Sequence, residues 1–254
     1  FFQPIPLLRS GFNGSVTLSQ QQVAALLAHA FFSTYEMPRN RTAVEKLRCI
    51  LYFDFNFSVP FGVITFRRQS VDPPDWNRLT NHLSDFVVQS SGTIEDDGFG
   101  MLEVDFANKY IGGGVLSKGC VQEEIRFLIC PELILSCLFC ERMSENEAIF
   151  ISGAQRFSNY TGYGRDFKWH SASKQTTLMR WVHIIFLLIM QAHAGFYSPD
   201  GSKKGIATGN WGCGVYRGNP HLKLLSFFYT FYLIRDVTLL SLFRSSAVNC
   251  CLGQ

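Results

Sequence analysis

The sequence predicts an α/β fold preceded by a helical N-terminal region. Short β-branched or alternating runs recur along the chain and are separated by stretches with helical spacing. Glycine clusters follow strand-like runs, at the edge where open α/β sheets hold their ligands. Hydrophobic residues make up 47% of the 254 residues against 17% charged, enough apolar surface for a large buried core.

Residues 18–34 place Val23, Leu26, Leu27, Ala30 and Phe31 on one helical face, with Thr17–Leu18–Ser19 read as the helix start. A second helix is expected over Ala43–Phe53. The period then changes: Gly62–Phe66 is a β-branched run ending in Arg67 and Arg68, and Pro73–Pro74 breaks the chain after it. Met101–Phe106 alternates as a strand does and runs into glycines. Glu123–Phe139 has helical spacing, with an interruption expected at Pro131. Ala148–Ile151 reads as a buried strand, Trp181–Ile189 as a strand-like run, and Ala207–Asn210 as the opening of a second glycine-rich turn.

Composition excludes several classes. Aromatics at 15% and a net charge of +3 are incompatible with a disordered chain, and +3 is too small to grip nucleic acid by charge alone. The eight cysteines show no disulfide rhythm. The Cys137-x-x-Cys140 pair has no partner pair at zinc spacing, so no metal site is expected and reduced thiols point to an intracellular protein. The longest apolar windows, Trp181–Met190 and Leu224–Ile234, fall short of the ~18–20 residues of a membrane span and read as buried core. The chain opens on Phe1 rather than methionine, which suggests a fragment whose targeting signals lie elsewhere.

The stretch richest in chemistry runs from Val104 to Ile125. Gly112, Gly113 and Gly114 allow positive φ and close approach of a ligand, and their amides can cradle a diphosphate beside a helix start. It is not a P-loop, because Gly119 is followed by Cys120 rather than Lys-Ser/Thr. Glu123 and Glu124 open the following helix. Helical neighbours point about 100° apart, so the two are expected to do different jobs rather than act as a matched pair. The turn around Gly212 and Gly214, with Tyr216 beside it, leaves room for a second ligand-facing backbone. Tyr160–Gly164 offers aromatics on a loop, able to stack on a base.

Three glycines followed after seven residues by Gln122–Glu123–Glu124 resemble the signature of poly(ADP-ribose) glycohydrolases. Gly92–Glu95, Val104–Gly114, Gln122–Ile129, Pro131–Ile134, Tyr160–Tyr163 and Ala207–Gly214 are similar to blocks of that family, in family order. The resemblance implies a macrodomain-like mixed sheet flanked by helices over 61–254, after a helical accessory region over 1–60. It implies hydrolysis of the ribose–ribose O-glycosidic bond of poly(ADP-ribose). Glu124 is then the general acid/base. Glu123 and Asn108 position the ribose, and Gln122 belongs to the same motif. Gly112, Gly113 and Gly114 wrap the diphosphate and distal ribose, with Gly212, Gly214 and Tyr216 closing the other side. Tyr163 stacks on the adenine, and Ile94 and Glu95 line its pocket. An oxocarbenium-like transition state needs a proton for the leaving oxygen, and a nearby diphosphate favours the protonated carboxyl. One Glu can protonate the leaving hydroxyl and then deprotonate water. The scheme needs no metal and no cofactor. Its partners are poly(ADP-ribose) and poly(ADP-ribosyl)ated proteins, met by a monomer in the nucleus or cytoplasm without DNA or membrane contact.

The resemblance weakens in two places. The region from Trp169 to Gly195 is short for the family. Residues 226–254 depart from its pattern, and a sheet short of a strand is expected there, with backbone groups left unpaired. An inactive ADP-ribose-binding module lacking a complete core is therefore the alternative, and a misfolded or membrane-associated variant a third.

Overall fold

The computed structural model describes residues 4–34, 41–55, 61–73, 75, 85–89, 91–98, 100–173, 180–185, 189–197, 204–209, 212–213, 217–219, 222 and 237–243. The chain runs β1 (Gly14–Ser19), α1 (Gln20–Thr34), α2 (Arg41–Phe55), β2 (Val63–Ser70), β3 (Asp85–Gln89), α3 (Ile94–Asp97), β4 (Leu102–Ala107) and α4 (Gln122–Ile129). It continues β5 (Glu147–Ser152), β6 (Ser158–Thr161), β7 (Lys168–Ala172), β8 (Arg180–Ile185), α5 (Ile189–Phe196), β9 (Lys204–Gly209) and β10 (Val237–Phe243).

Eight strands form one mixed sheet in the order β1-β2-β5-β8-β4-β9-β10-β3, and β6 and β7 form a separate hairpin. Pairing is antiparallel from β1 through β2 and β5 to β8, and parallel from β8 through β4, β9 and β10 to β3. Burial alternates along β2 through Ile64, Phe66 and Arg68, until Gln69 is buried as well. On β4 and β5 consecutive residues are buried, so both faces of the middle of the sheet are covered. Helix α4 packs on β4, and α5 packs on β5, β8 and β2. Among the described residues no helix is long and apolar enough to cross a membrane.

The structure departs from the sequence reading in instructive ways. Thr17–Leu18–Ser19 are a strand end as well as a helix start: Ser19 Oγ accepts from Gln22 N at 3.1 Å and Ser19 N donates to Gln22 Oε1 at 2.8 Å, capping the first helix. They belong to β1, whose pairing with β2 ties the N-terminal region into the sheet, and α1 begins at Gln20. The helix expected over Glu123–Phe139 is interrupted at Pro131 as anticipated, but beyond it the chain does not resume as an α-helix: α4 stops at Ile129. Proline disfavours helical geometry in the residue before it, and Cys130 sits at φ −126°, ψ 71°; a 3₁₀ segment, Pro131–Leu138, follows. Ala207–Gly209 are strand rather than turn. β3 gave no signal strong enough to read. The sheet is not left short by the C-terminal part: β10 lies between β9 and β3 and pairs in parallel with both.

Candidate active site

The parallel strand β4 delivers Asn108 and the glycines to one end of the sheet. The chain then turns through Tyr110–Lys118 and enters α4. Gly112 and Gly113 have φ of +84° and +50°, in the left-handed region that favours glycine. The turn closes on itself. Gly113 donates to Tyr110 O at 3.1 Å, Val115 to Gly112 O at 3.0 Å, and Gly119 to Gly114 O at 3.0 Å. A Cβ on Gly114 would stand 2.8 Å from Gly119 N, so the two glycines touch.

The two carboxylates at the start of α4 are both buried. Glu124 is held on both oxygens: Oε1 accepts from Gly114 N at 2.9 Å and Oε2 from Val121 N at 2.8 Å. The second bond satisfies an amide at the mouth of the helix that has no intrahelical acceptor. Glu123 Oε2 accepts instead from Asn108 N at 2.9 Å, at the end of β4. Their anchors differ, as expected from adjacent helical positions. Yet the pair also converges, which helix geometry alone did not predict: a Cβ on Gly113 would lie 2.5 Å from Glu124 Oε1 and 2.6 Å from Glu123 Oε2. The glycine turn folds back over the helix start and makes one surface from both.

Gln122 is locked by three bonds. Its side chain accepts from Phe106 N at 2.9 Å and donates to Val104 O at 3.3 Å, clamping α4 to β4. Its own N–H donates to the Tyr163 hydroxyl at 2.9 Å. Tyr163 thus caps the helix start from the loop after β6, and burial pushes its hydroxyl pKa up to about 12. Asn108 is exposed, and its Oδ1 accepts from Tyr110 N at 3.1 Å. Ile94 is buried against Ala207 of β9. Glu95, its neighbour on α3, accepts from the Tyr160 hydroxyl at 2.7 Å. Gly212 has φ +67° in the turn after β9, and its carbonyl accepts from Gly218 N at 2.7 Å. Gly214 and Tyr216 lie outside the described residues.

The sequence reading gives Asp105 and Lys46 no role, and gives Tyr160 another setting. Asp105 of β4 is fully buried, and its carboxyl is pushed well above the usual range by burial first and then by the Glu124 carboxylate. Tyr160, noted as a loop aromatic, lies in β6 and ties that hairpin to α3 through Glu95. Lys46 of α2 is buried, and its ammonium donates to Gly114 O, Val115 O, Ser117 O and Gly119 O. A lysine in an amphipathic helix ordinarily reads as a solvated charge, so no local pattern marks it. The Cys137 thiol donates to Ile111 O at 3.3 Å, and burial pushes it up to about 12, as befits a packed thiol rather than a reactive one.

Comparison with known proteins gives the family. The family model described as poly(ADP-ribose) glycohydrolase, macro domain fold, matches residues 73–187 and 185–231, and that of the helical domain of the same family matches residues 1–53. The chain is 43% identical over 189 residues to poly(ADP-ribose) glycohydrolase 1 of Arabidopsis thaliana, covering 64% of this chain and 34% of that protein. It is 34% identical over 265 residues to poly(ADP-ribose) glycohydrolase 1 of Caenorhabditis elegans, covering 83% of this chain and 34% of that protein. The chain therefore spans about a third of the length of these two relatives. A solved poly(ADP-ribose) glycohydrolase from Deinococcus radiodurans in complex with ADP-ribose aligns with a TM-score of 0.44 at 11% identity, over 69% of this chain and 87% of that one. With both catalytic-region models of one family matched in order across most of its length, the chain belongs to the poly(ADP-ribose) glycohydrolase family.

Proposed function

We propose that this chain hydrolyses the ribose–ribose O-glycosidic bond of poly(ADP-ribose) and releases ADP-ribose, with Glu124 as general acid and then general base. The observation that carries the reading is the seat of Glu124, a buried carboxylate whose two oxygens are each held by a loop amide beside the glycine turn. Each carboxylate oxygen keeps a second lone pair, so a proton can sit on either without releasing Gly114 or Val121. The group is thereby pre-oriented to protonate a leaving hydroxyl and to take a proton from the attacking water.

The remaining residues divide the substrate. Glu123, anchored on the Asn108 amide, and the exposed Asn108 side chain face the ribose at the scissile bond. Gly112–Gly114 follow the diphosphate and distal ribose, closed by Gly212, Gly214 and Tyr216. Tyr163 receives the adenine on its ring while its hydroxyl stays on Gln122, with Ile94 and Glu95 at the pocket wall. Poly(ADP-ribosyl)ated proteins of the nucleus or cytoplasm are the substrates, met by a monomer.

The test is incubation of the purified chain with automodified, poly(ADP-ribosyl)ated protein, followed by chromatography of the soluble products. ADP-ribose release is expected. Binding of ADP-ribose by calorimetry with no release would overturn the enzymatic reading in favour of a binding module.

A further inference from the structure

Lys46 stands apart from the residues that meet substrate, yet it touches the turn that organises them. It comes from α2, within the segment matched by the helical-domain model. That helix is pinned to the catalytic core at neighbouring positions. Glu45 accepts from Trp169 N at 3.0 Å, and the Tyr52 ring lies 5.8 Å from that of Trp169. Lys46 is buried, and three ammonium protons serve four carbonyls: Gly114, Val115 at 3.1 Å, Ser117 at 3.1 Å and Gly119.

The geometry has a consequence for the opposite side of the turn. In a trans peptide the C=O and the following N–H point in opposite directions. With the carbonyls of Val115 and Ser117 drawn to Lys46, the amides of Leu116 and Lys118 face away from it. The amides on either side of these two stay inside the turn, Val115 donating to Gly112 O at 3.0 Å, Ser117 to Gly114 O at 2.9 Å and Gly119 to Gly114 O at 3.0 Å. The same grip holds Gly114, whose N–H seats Glu124 Oε1, and Gly119, where a Cβ would stand 2.5 Å from that oxygen. Burial lowers the Lys46 pKa, while the Cys120 and Glu124 charges act to raise it.

We infer that Lys46 is a positioning residue of this active site, by which the helical region gathers the carbonyls of the 114–119 turn and so fixes the Gly114 amide and the Glu124 carboxylate it seats for the chemical step. The inference rests on the glycohydrolase reading above. It assigns the helical region a direct part in turnover and not only in stability.

The experiment compares the unaltered chain with Lys46→Met and Lys46→Arg. Each is characterised by kcat and KM for ADP-ribose release from poly(ADP-ribose), by ADP-ribose affinity and by thermal melting. Lys46→Met is expected to fold and to lose kcat about 10²-fold, as a loosened catalytic geometry does, with a smaller change in KM. Lys46→Arg keeps a charge and recovers part of the loss. A folded Lys46→Met chain with unchanged kcat overturns the inference, as does a loss confined to KM. If Lys46→Met does not fold, Lys46→Gln is read by the same split; failure of both neutral variants to fold assigns Lys46 to stability alone and also overturns it. Absence of ADP-ribose release by the unaltered chain sinks the glycohydrolase reading instead. Lys46 is then judged by affinity: weakened ADP-ribose binding in folded Lys46→Met supports its grip on the turn, and unchanged binding removes it.

Discussion

Gly113 lies so close to the Glu124 carboxylate that a Cβ at that glycine would stand 2.5 Å from Oε1, nearer than atoms can pack. The contact explains why this position is occupied by hydrogen alone, and it makes the turn and that carboxylate a single unit.

Gly113→Ala should therefore cost ADP-ribose release about 10²-fold, because both Glu123 and Glu124 must shift to admit the methyl group. Gly100→Ala is the matched control. It has a similar positive φ, +79°, and nothing within 4 Å of the added carbon, so it incurs only ~1–2 kcal/mol of backbone strain. Initial rates beside thermal melts separate the two, and equal rates in both variants would remove the steric argument.

Glu124→Gln is expected to abolish turnover while ADP-ribose still binds. It also carries a structural cost. Glu124 accepts from two amides through two oxygens, and glutamine has only one. Either Gly114 or Val121 loses its acceptor, at a cost of ~1–3 kcal/mol. Residual turnover in this variant would take the acid role from Glu124; urea unfolding measures the stability part.

Glu132 supplies a pH prediction away from the carboxylate pair. It is fully buried, accepts from Gln155 N at 2.7 Å and Gln20 Nε2 at 3.2 Å, and burial raises its pKa from 4.5 to about 7. A folded-state value above the unfolded one means its contribution is fully present below pH 4.5 and is lost as pH rises through about 7. Stability should fall by up to about 3 kcal/mol across that window. Glu132→Gln should flatten this slope, and an unchanged slope in denaturant titrations at several pH values would assign it elsewhere.

Arg126 of α4 and Glu103 of β4 form a buried ion pair that fastens α4 to the sheet. Glu103→Ala leaves a guanidinium without its carboxylate in the core and should cost ~3–5 kcal/mol. The double variant Glu103→Leu with Arg126→Met should recover much of that. If the double variant is no more stable than the single one in urea, the cost lies in packing rather than in the stranded charge.

Much of the fold was legible because its elements carry strong local signals. The apolar face of residues 18–34, the β-branched run after Gly62 and the alternation before Ala107 all form the element types their patterns imply. Where the reading failed elsewhere than at Pro131, neighbours overrode local preference. Thr17–Leu18–Ser19 reads as a helix start, and Ser19 does cap α1, but an open edge of β2 also captures the run as a strand. Val237–Phe243 carries no family pattern, yet the gap between β9 and β3 accepts it in parallel pairing.

The sequence by itself determined the class of the fold, the family and the residues Gln122–Glu123–Glu124 that open α4, because glycine spacing and helix entry are local properties. Only the tertiary structure decided that Glu124 is seated by amides from two sides, that Gly113 joins it to Glu123, and that Lys46 grips the turn from another helix. Those relations depend on how segments distant in the chain pack together, and a charge within one helix does not announce which carbonyls will surround it.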